Sequence, residues 1–145
     1  MSNTSFDDIQ PQFCVNAKIR RIHRLMNSPY QDLIKPYGLK GSMLSILFMI
    51  GKTDANQKLI SRQLVLDEST MSRDMKKLES MNLIEREKGS DARHSILCIT
   101  EAGMRLLNEL APKWQALHDS MEKKLGSESI VAIDQIMASL ENQEP

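Results

Sequence analysis

Between Asp67 and Met81 the sequence reads DESTMSRDMKKLESM. Hydroxyls gather at its start, on Ser69, Thr70 and Ser72, and the cations Arg73, Lys76 and Lys77 follow. Hydroxyls bond phosphate oxygens or base edges. A guanidinium can grip guanine at two points, worth about 1–3 kcal/mol of discrimination. Lysine ammonium groups meet phosphates and fix register without reading sequence. Together these are the groups that read a nucleic acid. A second group lies in the loop GSDARHS, residues 89–95, where Asp91 precedes Arg93 by two positions. A turn needs Gly, Ser or Asp for its backbone angles but has no need of an arginine at its tip. For catalysis the sequence offers no paired-carboxylate site, no nucleophile beside a base and no phosphate-binding glycine loop, so no enzyme is expected.

These groups need a scaffold that presents them. At about 100° per residue, with Met71 set at zero, Met75 and Leu78 fall within about 40° of it and form a core face. Ser69, Arg73, Lys76 and Ser80 fall on the opposite side, flanked by Ser72 and Lys77. Glu79 lies toward the edge of the core face, so the outer face carries no carboxylate. Asp67 caps this helix, predicted over 68–81, and Glu68 adds negative charge at its positive end. Asp74 stands apart, because DNA would repel a carboxylate beside its backbone, and a cation inside the domain is its expected partner.

Before it, QKLISRQL (57–64) predicts a short helix with Leu59, Ile60 and Leu64 facing in, and VLD makes the turn of a helix-turn-helix. After it, LIERE (83–87) and SILCIT (95–100) predict the two strands of a hairpin. Further upstream, residues 11–26 place Val15, Ile19, Ile22 and Met26 on one helical stripe. Ser28, Pro29 and Gln31 form an S-x-x-Q capping box, which predicts a kink or restart near Pro29. Pro36 and Gly38 end that segment. Residues 42–51 are apolar almost all round and predict a buried central helix, and KTDAN (52–56) a loop. Thr100 caps the next helix, where Leu107, Leu110, Trp114, Leu117 and Met121 recur at three and four and Pro112 predicts a bend. Gly126 ends it. Ser127 caps a last helix carrying Ile130, Ile133, Met137 and Leu140. The fold class is mainly α with a small antiparallel β-hairpin. A winged helix-turn-helix over 41–100 sits between helices at 1–40 and 101–145, with the recognition helix at about 68–81 and the wing at about 83–100.

At 145 residues the chain suits one domain. No run approaches ~18 apolar residues, so no membrane span is expected. MSNTSFDDIQ lacks the basic and apolar regions of a signal peptide, so a cytoplasmic protein is expected. The 19 Lys and Arg balance 19 Asp and Glu, but the segment beyond residue 100 has an acidic excess and the rest is slightly basic. Cys14 and Cys98, and His23, His94 and His118, are scattered, so neither a disulfide nor a metal site is expected. No cofactor is indicated.

The run LDESTMSRDMKKLESMNLIEREKGSDARHSILCITEAG, 66–103, resembles the MarR (multiple antibiotic resistance regulator) family. The matching pieces are STMSRDMKKLE, NLIERE, the D-x-R of the wing and ITEAG. The helix order and the APKW stretch extend the resemblance over almost the whole chain. It implies a homodimeric DNA-binding regulator, usually a repressor, acting on a pseudo-palindromic operator and released by a small ligand or an oxidant. By position, Ser69, Thr70, Ser72, Arg73, Lys76 and Lys77 become the major-groove set. Arg93 becomes a minor-groove reader, oriented by Asp91; narrow A·T-rich minor grooves attract arginine. The first and last two helices become the dimer interface.

The resemblance also places an effector pocket between the dimer helices and the winged domain, implicating Ile22, Met26, Tyr30, Tyr37, Met43 and Trp114; core packing is the competing role for each. Cys14 lies where one oxidant-sensing branch keeps a reactive cysteine, and Lys18 one turn on would favour a thiolate. The spacing to Tyr30 does not match that branch, and a small buried apolar role at the dimer interface competes. A winged-helix protein–protein module is the remaining alternative to DNA binding.

Overall fold

The structure is a computed structural model and describes residues 3–87 and 95–142. Its helices are α1 (Val15–Ile34), α2 (Gly41–Lys52), α3 (Gln57–Leu64), α4 (Glu68–Ser80), α5 (Glu101–Leu125) and α6 (Ser127–Glu141). Its strands are β1 (Ala55–Asn56), β2 (Ile84–Arg86) and β3 (Ile96–Ile99). The buried core is centred on α2, whose Met43, Ile46 and Leu47 are fully enclosed. Around it close Ile34 of α1, Ile60 of α3, Met71, Met75 and Leu78 of α4, Leu97 of β3 and Leu110 of α5. The all-round apolar pattern of 42–51 thus marks the helix that α1, α3, α4 and β3 pack against.

The strands make one antiparallel sheet in the order β1-β3-β2. Ile84 faces Ile99 and Arg86 faces Leu97 across the expected hairpin, and Ala55 pairs with Leu97 on the other edge of β3. The third strand replaces part of the loop predicted at 52–56. A two-residue strand has no period to read; its partner specifies it.

Other expectations change. The helix predicted from residue 11 begins at Val15, after a 3-10 turn at Pro11–Phe13, and Cys14 is its cap. There is no restart at Ser28: α1 runs unbroken to Ile34 with Pro29 inside it. An interior proline costs about 3 kcal/mol. The last turn of α1, beyond it, buries Ile34 fully and packs Leu33 on the core, and each large apolar side chain buried contributes about 1.5–3 kcal/mol. Packing therefore outweighs the broken bond. Pro36 and Gly38 do end the segment, through a 3-10 turn and a left-handed Gly38 at φ 72°. Leu59 points out rather than in, 40 % exposed, while Ile60 is enclosed. Ser127 is the first residue of α6, and Gly126, at φ 84°, occupies the cap position. Pro112 lies within an unbroken α5. No single helix among the described residues is long and apolar enough to cross a membrane.

Candidate nucleic-acid interface

α3, the turn at Val65–Leu66 and α4 form the helix-turn-helix. Val65 closes α3 in the left-handed region, at φ 53°. Asp67 begins α4 by accepting the Thr70 backbone N–H at 2.6 Å and the Ser69 hydroxyl at 3.2 Å. These bonds, the backbone one foremost, and the nearby Arg73 charge hold its carboxyl below the usual aspartate range.

The faces of α4 follow the angular reading. Met71, Met75 and Leu78 are buried, and Ser69, Arg73, Lys76, Lys77 and Ser80 are exposed. Thr70 and Ser72 lie half-buried at its flanks. Arg73 Nε donates to the Ser69 carbonyl at 3.4 Å, which lays the guanidinium along the helix toward its N-terminus. Among the described residues neither Lys76 nor Lys77 pairs with a carboxylate.

Both carboxylates beyond the first turn of α4 are occupied elsewhere. Glu79 accepts from Arg86 Nε at 2.7 Å, and a second Arg86 nitrogen donates to Gln57 at 3.0 Å, so one β2 side chain ties α4 to α3. Asp74 is 1 % exposed; Lys40 Nζ lies 2.8 Å from one oxygen, and the Ser42 hydroxyl donates to the other at 2.6 Å. The partner cation is thus Lys40, which stands one residue before the winged segment predicted from 41 and keeps about half of its side chain in solvent. Lys58 of α3 belongs with this surface although the sequence reading left it unassigned. It lines the same recess, about 130 Å³, as Ser72. Its signal was an exposed cation on the first helix of the pair, which crosses the DNA backbone in such motifs.

The wing is rooted by β2 and β3. Asp91, Arg93 and His94 lie outside the described residues. Cys98 on β3 is half-buried and its thiol lies 3.9 Å from the Glu87 carboxylate. Burial first, then the charges of Glu87, Asp54 and Glu85, push that thiol up, away from the thiolate form.

The fold has a match. Aligned on solved structures, the chain superposes over 99 % of its length on all of Bordetella bronchiseptica BpsR, with TM-score 0.77 and 16 % identity. BpsR's DNA binding is regulated by 6-hydroxynicotinic acid. A MarR-family regulator from Rhodococcus sp. RHA1 matches over 96 % of both chains, with TM-score 0.71 and 20 % identity. Mycobacterium tuberculosis MosR, solved in complex with DNA, matches over 88 % of this chain and 98 % of its own, with TM-score 0.71 and 20 % identity. This is the fold of the MarR-family transcriptional regulators. Among curated proteins the chain is 26 % identical over 97 residues to YwoH of Bacillus subtilis strain 168, an uncharacterized HTH-type transcriptional regulator, covering 66 % of this chain and 71 % of YwoH. No protein-family model matches the chain.

Within the MarR fold the six pocket candidates do not share one site. Tyr30 and Trp114 line a cleft of about 270 Å³ with Asn27, Gly41, Ser45 and Phe48, between α1, α2 and α5. Burial, and secondarily the charge of Glu122, push the Tyr30 phenol up, which keeps it a donor at neutral pH. Met43 is wholly in the core, and Ile22 is 52 % exposed on α1, as is Leu25 nearby at 68 %. Met26 is half-buried. Tyr37 accepts from Lys113 at 2.8 Å and donates to Glu109 at 3.3 Å, which ties the α1–α2 link to α5. Phe48, which the sequence reading passed over as core, meets Trp114 edge-on at 5.5 Å between ring centres. Trp114 also stacks on His118 at 4.9 Å. His118, Asp119 and Glu122 bring ligand atoms within 4.8 Å of one another, but His118 lies 3.1 Å from Glu122 and Gln115 donates to Asp119, so each already has a partner. Cys14 is exposed; its sulfur accepts the Ala17 N–H at 3.4 Å, and Lys18 sits over the Phe13 ring at 5.9 Å instead of on the thiol.

Proposed function

We propose that the protein is a homodimeric DNA-binding transcriptional regulator, a repressor that a small molecule releases. The observation that carries this reading is the outer face of α4. It presents Ser69, Arg73, Lys76 and Lys77 outward, and its two later carboxylates are tied up by Lys40, Ser42 and Arg86. A solvated surface helix ordinarily interleaves Lys with Glu. In this reading Arg73 and the hydroxyls Ser69, Thr70 and Ser72 meet base edges in the major groove, and Lys76 and Lys77 meet phosphates. Arg93 enters the flanking minor groove, oriented by Asp91. The DNA complex of MosR, which shares the fold, supports the partner.

The dimer reading rests on apolar surface. α6 exposes Ile133, Ile136, Met137 and Leu140 in one stripe, and α1 exposes Val15, Ile19, Ile22 and Leu25. Such surface marks an interface, and two-fold symmetry implies a pseudo-palindromic operator. The cleft at Tyr30 and Trp114 is the effector site in this reading. BpsR responds to 6-hydroxynicotinic acid, and NadR is solved with 4-hydroxyphenylacetate. Both molecules are small, aromatic and acidic, and suit a cleft with aromatic walls and a phenol donor.

Selection of bound duplexes from a random pool tests the reading. Arg73→Ala is expected to weaken the selected operator by about 1–3 kcal/mol and relax preference at one base pair. Arg93→Ala is expected to cost a similar amount with the dimer intact. Unaltered operator affinity for either variant refutes the role assigned to that residue.

A further inference from the structure

Asp74 is the one buried carboxylate among the described residues, and reading DNA makes no direct use of it. Counting about 100° per residue, it lies about 60° from Met71 on the core side and about 60° from Lys77 on the outer side. Its two oxygens are both committed, to Lys40 at 2.8 Å and Ser42 at 2.6 Å. Both partners stand at the start of α2: Lys40 immediately precedes the helix and Ser42 is its second residue. The carboxylate therefore also meets the positive end of the α2 dipole. Gly41, between the two partners, lines the cleft at Tyr30.

Stability alone gives no reason for this arrangement. The pair is buried only on the Asp74 side, since Lys40 keeps about half of its side chain in solvent, and replacing even a wholly buried ion pair by apolar residues of similar volume is often neutral or stabilising. A paired charge supplies direction, which an apolar contact does not. Met71, Met75 and Leu78 can slide on the core with little change in area. Two short bonds to one end of α2 fix both the rotation of α4 about its axis and its position along that axis. Rotation matters at the outer face. With a helix radius of about 5–6 Å including side chains, a 10° turn displaces an outer side chain by about 1 Å, enough to spoil a two-point contact to a base.

We propose that Asp74 is a positioning residue for DNA reading: its bonds to Lys40 and Ser42 set the rotation of α4 and so aim Arg73 and the N-terminal hydroxyls at base edges. The inference rests on α4 being the DNA-reading helix.

Charge and positioning predict opposite signs. If Asp74 acts only as a negative charge near DNA, Asp74→Asn removes repulsion and raises affinity for every duplex. As a positioning residue it behaves otherwise. Asp74→Asn keeps the shape and can still accept from Ser42, but loses the pair with Lys40. Affinity for the selected operator then falls about tenfold or more, while affinity for an unrelated duplex of equal length holds or rises. Ser42→Ala alters no charge and is expected to show the same operator-selective loss. Both variants are measured in the full-length protein by fluorescence anisotropy, with thermal melting followed by circular dichroism. A lowered melting point with an unchanged ratio of operator to unrelated affinity makes Asp74 merely structural and overturns the proposal. So does a uniform gain in affinity for Asp74→Asn. A wild-type protein that selects no duplex overturns DNA reading itself. A wild-type protein that holds its operator, with both variants keeping its ratio, overturns only the positioning role.

Discussion

Asp67 caps α4 most strongly as a carboxylate. Its pKa is lowered in the folded protein, first by the Thr70 backbone N–H. The cap's contribution is therefore full above the ordinary aspartate range and is lost as the pH falls through the lowered value. Asparagine caps about as well as aspartate and does not titrate. Asp67→Asn is thus expected to leave the urea midpoint at pH 7 nearly unchanged and to flatten its fall as the pH drops below the ordinary aspartate range. Equal acid sensitivity of the two proteins contradicts this origin of the shift. Caps such as Asp67 and Thr100 were legible in the sequence because the bond they make closes within three residues. Asp74 was legible only as an anomaly. Its partners lie more than thirty positions upstream, and nothing local names them. The Tyr30–Trp114 cleft was half legible for the same reason: the aromatic residues stand out, but Gly41 and Ser45 join them only through packing.

Helices with a strong period were legible as elements. α4 showed its faces in the sequence because one side is sealed against α2, and α5 showed its start because Thr100 and Gly103 close a cap. The misread segments are those where long-range packing decides. Pro29 looks like a boundary until Ile34 and Leu33 are seen on the core, and β1 exists only because β3 offers it an edge. The glycine of ITEAG has a reason of this kind. A Cβ on Gly103 would overlap the Leu83 backbone oxygen and come within 2.7 Å of Ile99 Cγ1. That glycine lets the first turn of α5 press on the chain between α4 and β2, at the root of the wing. Gly103→Ala is expected to destabilise the fold by about 1–3 kcal/mol, as overpacking does, measured by chemical denaturation. A loss under about 0.5 kcal/mol, the range of neutral surface changes, contradicts that close approach.

At the scale of the molecule, the chain divides its surfaces by chemistry. α4 presents cations and hydroxyls. α1 and α6 present apolar stripes that stay exposed among the described residues; α6 has no buried residue there. Ile136→Glu with Leu140→Glu is expected to convert a dimer to a monomer in sedimentation equilibrium while helix content is kept, and to weaken operator binding to that of a half-site. A wild-type protein that sediments as a monomer contradicts the dimer reading. The apolar stripes were visible in the sequence as period; that they face outward was not, because a core stripe and an interface stripe have the same pattern. The most direct test of DNA reading is a salt titration of the full-length protein on its selected operator and on an unrelated duplex. Predicted is a log K that falls linearly with log salt, by about 0.9 per phosphate contact, on both, with the operator preferred by about a thousandfold or more. Equal affinity for the two duplexes, or an affinity that salt does not change, would contradict it.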